Sequence, residues 1–396
     1  MKFRKFGRIA LASVASVAAA MGMTACAPSN TIDFLYVTSS ARNPGQIDAY
    51  LVDSMAGALE ELPDGPYPSG GRNPVADATT PNGKYLYVIN HDDNTVVDYA
   101  TGTDGKLYPQ RTCNLPGSYP MQLTVNPSGT FLYIVETYAP NYSTNVPGPG
   151  ALVVMPIGVD GLLGVGGGTC IPVPNGQNQF FPLGNNPVGV NVLKNGKYLY
   201  VVNENDATIA AYRITTSGGV SLLGTYPVGV LPNALASDPT NRFMYVTDGA
   251  SNQLVGFLIQ TDGTLLVMQL PFATDQFPDA VTVEPRGYYL YVANYNSNDI
   301  SSYDIDLSTG NATQTSGSGT YGVDTGPDCI LVEPSEARYV YTTNYLGDTV
   351  SGVALNPDTG ALSAVENSPF KAQPQPTCEA AITHGNHAIS VVQPVP

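Results

Sequence analysis

The sequence predicts an all-β fold, a seven-bladed propeller of four-stranded antiparallel blades, on three observations. A Tyr-rich phrase occurs seven times, starting at Phe34, Tyr85, Phe131, Tyr198, Phe243, Tyr289 and Tyr339, in forms such as Phe-Leu-Tyr-Val and Tyr-Val-Tyr-Thr. Its starts are 51, 46, 67, 45, 46 and 50 residues apart, the length of one propeller blade and too long for leucine-rich or hexapeptide repeats. Each period also carries the same punctuation: a proline opens a short apolar stretch, a glycine ends a later turn, and no helical periodicity intervenes.

Taken along one period, the proline-led stretch, as in Pro232-Asn-Ala-Leu-Ala-Ser, is the innermost strand. A tight turn such as Asn195-Gly196 or Ser128-Gly129 leads into the Tyr-rich second strand. A third strand follows, for example Thr349-Val-Ser-Gly-Val-Ala-Leu, and then a turn ending in Gly57, Gly105, Gly161, Gly218, Gly263, Gly310 or Gly360 precedes the outermost strand. The repeated tyrosines read as interior packing with a satisfied hydroxyl. The chain enters at a second strand, residues 34–38, and Pro376-Thr-Cys-Glu-Ala-Ala-Ile-Thr reads as the missing innermost strand. The C-terminus is therefore expected to complete blade 1 and close the ring, removing the exposed sheet edge. That places the propeller at 34–392 with a tail at 393–396; residues 388–392 are left without a place in it.

Residues 1–25 form a separate object. Lys2, Arg4, Lys5 and Arg8 precede an apolar run, residues 9–23, too short to span a bilayer, which is the pattern of an export signal. The run ends in Met23-Thr24-Ala25-Cys26, which resembles a bacterial lipobox with Met in place of Leu. Lipid on Cys26 is the expectation, with 26–33 as anchor and linker; ordinary cleavage leaving Cys26 free is the alternative. Ala27 favours the outer membrane over other periplasmic or cell-envelope locations. Losing four positive charges with 1–25 takes the formal charge from −16 to −20. Such a surface repels nucleic acid and anionic lipid, and disfavours anionic substrates without a local basic pocket.

In a propeller, the outermost-to-innermost connections and the second-to-third turns gather at one mouth of the channel. The mouth should thus collect residues beside each strand-opening proline (Arg72, Asn73, Asn186, Asn233, Asp279, Asp328, Glu379). It should also collect those ending each second strand (Asn90, His91, Glu136, Asn203, Glu204, Asp248, Asn294, Asn344). The 67-residue interval carries about twenty extra residues, placed at 137–150 and 169–186, both expected at the mouth with Tyr138, Tyr142, Phe180 and Phe181 as contacts. His91-Asp92-Asp93-Asn94 reads as a turn and not as a metal site, His384 and His387 as solvated on the opposite face. No metal or cofactor is expected.

Four cysteines besides Cys26 allow three connectivities. Cys329 and Cys378 each lie two residues after a strand-opening proline in adjacent blades, and Cys113 and Cys170 hold matching outer positions in blades 2 and 3. The expected disulfides are Cys329–Cys378 and Cys113–Cys170.

The Tyr-Val-x-Asn strand endings, Asn-Gly turns and blade period resemble the lactonase-like, YVTN-type seven-bladed propeller family, which includes 6-phosphogluconolactonases and carboxymuconate-cyclising enzymes. The resemblance covers about residues 34–392. It implies a His heading the fourth innermost strand, an Arg-His pair heading the fifth and a Glu ending the fifth second strand, a set suited to polarising and protonating a lactone. The matching positions here are Val188, then Asn233 and Ala234, then Asp248; Glu204 has the Val-Asn-Glu wording one blade earlier. The leading expectation is therefore an exported propeller that binds a small molecule, glycan or protein at an acidic mouth, through Asn186, Asn233, Asp279, Asp328, Tyr138 and Phe181. The rival is a hydrolase of a neutral exported substrate, with Asp248 or Glu204 as general base and Arg72 or His91 as acid or electrophile. A purely structural envelope protein is the third class.

Overall fold

In the computed structural model the described residues are 30–164, 169–315 and 319–385. They contain 32 strands in seven antiparallel sheets, four strands per blade with the outermost strand split in two in blades 1, 5, 6 and 7. The innermost strands are Pro376–Thr383, Pro74–Thr79, Ser118–Val125, Pro187–Val192, Pro232–Ser237, Pro278–Val283 and Pro327–Val332 for blades 1 to 7. Blade 1 is closed by pairing Pro376–Thr383 with Thr31–Ser39, so the two ends of the chain share one sheet. That second strand starts at Thr31, three residues before the repeated phrase. Residues 388–392, Cys26 and His387 lie outside the described residues.

The seven apolar clusters lie between neighbouring blades, not within them. One joins Leu86, Val88 and Val97 of blade 2 to Tyr36, Ile47 and Ala49 of blade 1; six others repeat the arrangement around the ring. Alternation along each second strand sends successive side chains to opposite neighbours, so these strands are buried on both faces.

The repeated tyrosine and the recurring turn glycine are one device. The hydroxyls of Tyr36, Tyr87, Tyr133, Tyr200, Tyr245, Tyr291 and Tyr341 donate to the carbonyls of Gly105, Gly161, Gly218, Gly263, Gly310, Gly360 and Gly57, each in the next blade, at 2.7–3.0 Å. The aromatic ring two positions earlier packs against the same glycine. At Gly263 a Cβ would sit 2.2 Å from the Tyr198 ring, and φ is +88°, so both contact and backbone demand glycine.

Two disulfides staple neighbouring blades. Cys329 and Cys378 join the innermost strands of blades 7 and 1 (Cα–Cα 5.1 Å), and Cys113 and Cys170 join the outer parts of blades 2 and 3 (5.4 Å).

The long interval in blade 3 corrects one expectation. Residues 137–150 do form an excursion after the second strand, folded on itself through Ala139 N–H to Pro149 O and the Ser143–Val146 bridge. The other extra residues, however, follow the outer edge of the blade for most of their length: Val173 bonds Val154, the Asn175–Asn178 bridge closes a turn, and Phe181–Pro182 pairs with Ala151–Leu152. The third strand Ala151–Pro156 otherwise has a bare edge, and the chain runs down it instead of rising to the mouth. Phe181 is 7% exposed and packs between blades 3 and 4, so it contacts no ligand at the mouth; Phe180 packs between blades 2 and 3. His384 is likewise not a free solvated group, its ring lying edge-on to Phe34 at 4.8 Å.

Candidate functional site

The channel is built by a recurring fault in the innermost strands. Proline has no N–H to give to the ladder, and the pairing slips immediately after it: Pro278 faces Asn294, but Ala280 faces Ala293, leaving Asp279 unpaired. The same slip isolates Val75, Met121, Val188, Asp328 and Thr377, and in blade 5 Asn233 with Ala234. A bulge re-aims its side chain, and every one of these residues lines a central cavity of about 370 Å³. Half of this ring is apolar, from Val75 through Met121 to Val188; the other half is Asn233, Asp279, Asp328 and Thr377.

The polar half is connected. Asn233 Nδ2 donates to Asp279 Oδ1 at 2.7 Å, and Asp279 and Asp328 are close enough along the cavity wall for each carboxyl to act on the other. Burial, then the charge of Asp279, pushes the Asp328 carboxyl well above the usual carboxylate range, and burial pushes Asp279 up. Burial and then the charges of Asp328 and Asp279 push the Tyr295 phenol up. Glu204 also lines the cavity; burial raises it, while a hydrogen bond from Asn186 Nδ2 opposes the rise. Among the described residues lining the cavity there is no Lys, Arg or His. Beside it, Tyr138 and Asn186 line a second cavity of about 350 Å³ under the 137–150 excursion.

Asp248 is elsewhere. It is 0% exposed and accepts from the backbone N–H groups of Val230 (3.0 Å) and Leu231 (2.9 Å) and from Gln253. Burial raises its carboxyl, but those donors and Ser251 outweigh it, leaving it below the ordinary value. Its position is the one held by Asn90, Asn203, Asn294 and Asn344 in other blades, and by Glu136, which accepts from Gly117 N–H. This position ties the strand end to a neighbouring loop or turn and does not face the cavity. Glu204, one residue further on, does.

Arg72 and His91 also fail to reach the cavity. Arg72 is held by Asp93 (Nε to Oδ1, 2.7 Å) and by the Asp92 carbonyl, and His91 bonds Asp92 and stacks on Tyr119 at 4.7 Å. Both are spent on the second-to-third turn of blade 2, residues 91–94. The sequence reading missed Val75, Met121 and Thr377; the residue following each strand-opening proline was the available signal.

The model of the lactonase seven-bladed β-propeller family matches residues 69–144, 190–332 and 264–381. The chain belongs to this family. Relatives within it include proteins named 6-phosphogluconolactonase. That of Serratia proteamaculans is 28% identical over 316 residues, 70% of this chain and 93% of the relative. That of Pectobacterium carotovorum is 26% identical over 288 residues, 64% and 86%. Among solved structures, the periplasmic gluconolactonase of Pseudomonas aeruginosa superposes with a TM-score of 0.72 at 19% identity, covering 89% of this chain and 99% of the other, a likeness of fold.

Proposed function

We propose that this lactonase-family propeller is an exported protein that binds a neutral, hydroxyl-rich small molecule of the sugar-lactone class at its acidic channel mouth. The observation that carries this reading is the cavity lining: Glu204, Asn233, Asp279 and Asp328 supply donors and acceptors for hydroxyls, with no basic residue among the described lining residues. The apolar half of the ring, Val75, Met121 and Val188, suits the C–H face of a sugar ring. A phosphate placed about 6 Å from a carboxylate meets a repulsion of about 3 kcal/mol at an effective dielectric near 20. The substrate of the named relatives is thus disfavoured, and the family's Arg and His find Asn233, Ala234 and Val188 in their places. Export rests on the N-terminal charge and hydropathy pattern, and the chain is held to a membrane only through lipid on Cys26, without nucleic-acid partners. Two cross-blade disulfides suit an oxidising compartment.

Calorimetric titration with D-glucono-1,5-lactam, a neutral mimic that resists hydrolysis, tests the site against the same compound phosphorylated on O6. Binding of the neutral form at least tenfold tighter, and weakened at least tenfold by Asn233→Ala, is expected. Preference for the phosphorylated form would sink the reading. Cys26→Ser should move the protein from the membrane to the soluble fraction; unchanged membrane retention refutes the anchor.

A further inference from the structure

We infer that the cavity under the 137–150 excursion is a second sugar subsite, so that the ligand carries a further glycosyl unit beyond the ring held in the central cavity; this rests on the ligand class proposed above. In blades 2, 4, 5, 6 and 7 four residues join the second strand to the third, whereas in blade 3 twelve do, residues 139–150. A connection of that length in a compact domain is usually functional or disordered, and this one is held by its own bonds. Ala139 N–H donates to Pro149 O at 2.9 Å and Tyr142 N–H to Ala139 O at 3.0 Å, while Gly148 lies so close to the Tyr142 ring that a Cβ would sit 2.1 Å from it. The excursion is thus a fixed wall. The cavity it covers, about 350 Å³, nearly equals the central one at about 370 Å³.

The two cavities share a partition. Asn186 lines the second, and its Nδ2 donates to Glu204, which lines the first. A ligand seated in the central cavity can therefore carry a glycosidic bond across this partition and set its next ring under the excursion. The lining of the second cavity sorts into two sets. Asn185 and Asn186 are spent on Asp206 and Glu204, bonds that fix the wall. The hydroxyls of Thr137 and Tyr138 and the amide of Asn205 make no hydrogen bond within the described residues and are left for solvent or ligand. Each of these three side chains both donates and accepts, as sugar hydroxyls do, and no charged residue is among the described lining residues. The Tyr138 ring adds apolar surface for the C–H face of a sugar.

The backbone carries an independent sign. Tyr119, which precedes Pro120, has φ +58°, where blades 2, 4 and 7 place Asn73, Asn186 and Gly326. A left-handed φ is rare for a bulky residue, and such strain clusters at ligand sites. Here it sets the Tyr119 ring edge-on to Tyr138 at 6.1 Å, with His91 stacked on it at 4.7 Å. Phe277, with φ +57°, is placed against Tyr295 in the same way beside Asp279.

Calorimetric titration of the full chain tests the subsite, comparing D-glucono-1,5-lactam with its 4-O- and 6-O-β-D-glucosyl derivatives. At least one disaccharide should bind about tenfold tighter than the monosaccharide, or more. Tyr138→Ala should bring that disaccharide to within about threefold of the monosaccharide, whose own affinity stays within about threefold of the wild-type value. Asn205→Ala, at an exposed position, should cut the gain by about threefold or more, so the idea stays testable if the Tyr138 variant does not fold. No gain from either glucosyl group, or a gain that survives both substitutions, overturns the subsite and leaves the reading of the central cavity intact. Failure of all three compounds to bind overturns both.

Discussion

At the scale of single residues, each tyrosine of the repeated phrase works with a glycine in the following blade. Periodicity made both visible in the sequence, one as packing and the other as a turn, but nothing local says that they meet, because the partners are 63–85 residues apart along the chain except at the ring closure. The pairing predicts an asymmetry. Tyr200→Phe removes one buried hydrogen bond and leaves the Gly263 carbonyl unserved, a loss of about 1 kcal/mol, or roughly 2 °C in a chain of this size. Gly263→Ala forces a Cβ into the Tyr198 ring and a left-handed conformation on alanine, so its loss should be several times larger. Urea unfolding of the two variants measures both. Equal losses would mean that the ring contact is relaxed at no cost. The same scale explains the misplaced carboxylate. Asp248 shares the strand-end position of Asn90, Asn203, Asn294 and Asn344, and its lowered carboxyl reflects the donors it serves, not a reactive environment.

At the scale of elements, the propeller was legible because proline, tight turn and glycine punctuate every period, whereas the channel lining was legible only in part. Asn233, Asp279 and Asp328 could be placed beside the prolines, but which side chain turns inward depends on the ladder slipping by one residue, a property of paired strands that no single strand displays. The outermost strand of blade 3 was misplaced for a related reason: the need to cover the edge of Ala151–Pro156 is invisible until that strand has a position. The closure of blade 1 gives a prediction of its own. Pro376–Thr383 joins the ring through its ladder with Thr31–Ser39 and through Cys378, bonded to Cys329 at a sequence separation of 49. Loop-closure entropy for a loop of that length corresponds to about 4 kcal/mol, near the top of the usual range of roughly 2–4. The double variant Cys329→Ala, Cys378→Ala should therefore unfold at lower urea concentration by about that amount. A loss below about 0.5 kcal/mol would show that the strand pairing alone holds the ring shut.

At the scale of the whole molecule, the chain concentrates buried carboxyls whose protons the fold retains. Burial pushes Glu136 up to about 8 and Asp98 and Asp48 each up to about 6. Burial together with Glu333 raises Asp33 to about 9, and Asp77, Asp328 and Glu379 around the channel are raised as well. The sign of the consequence follows from proton counting. A carboxyl that titrates higher in the folded protein than in the unfolded chain binds more protons when folded, so folding is favoured at low pH and loses that advantage as pH rises. For Glu136 the contribution is full below about 4.5, its unfolded value, and is lost as pH climbs through about 8. Summed over these groups, unfolding free energy should fall by several kcal/mol or more between pH 5 and pH 9, even though an acidic protein has little else to titrate across most of that interval. Glu136→Gln copies the neutral carboxyl and keeps an oxygen to accept from Gly117 N–H, so it should flatten the slope without abolishing it. Urea midpoints of the wild type and this variant at pH 5, 7 and 9 decide the matter. A wild type more stable at pH 9 than at pH 5 would mean that these carboxyls are ionised in the folded state and that their burial is offset by donors or water around them.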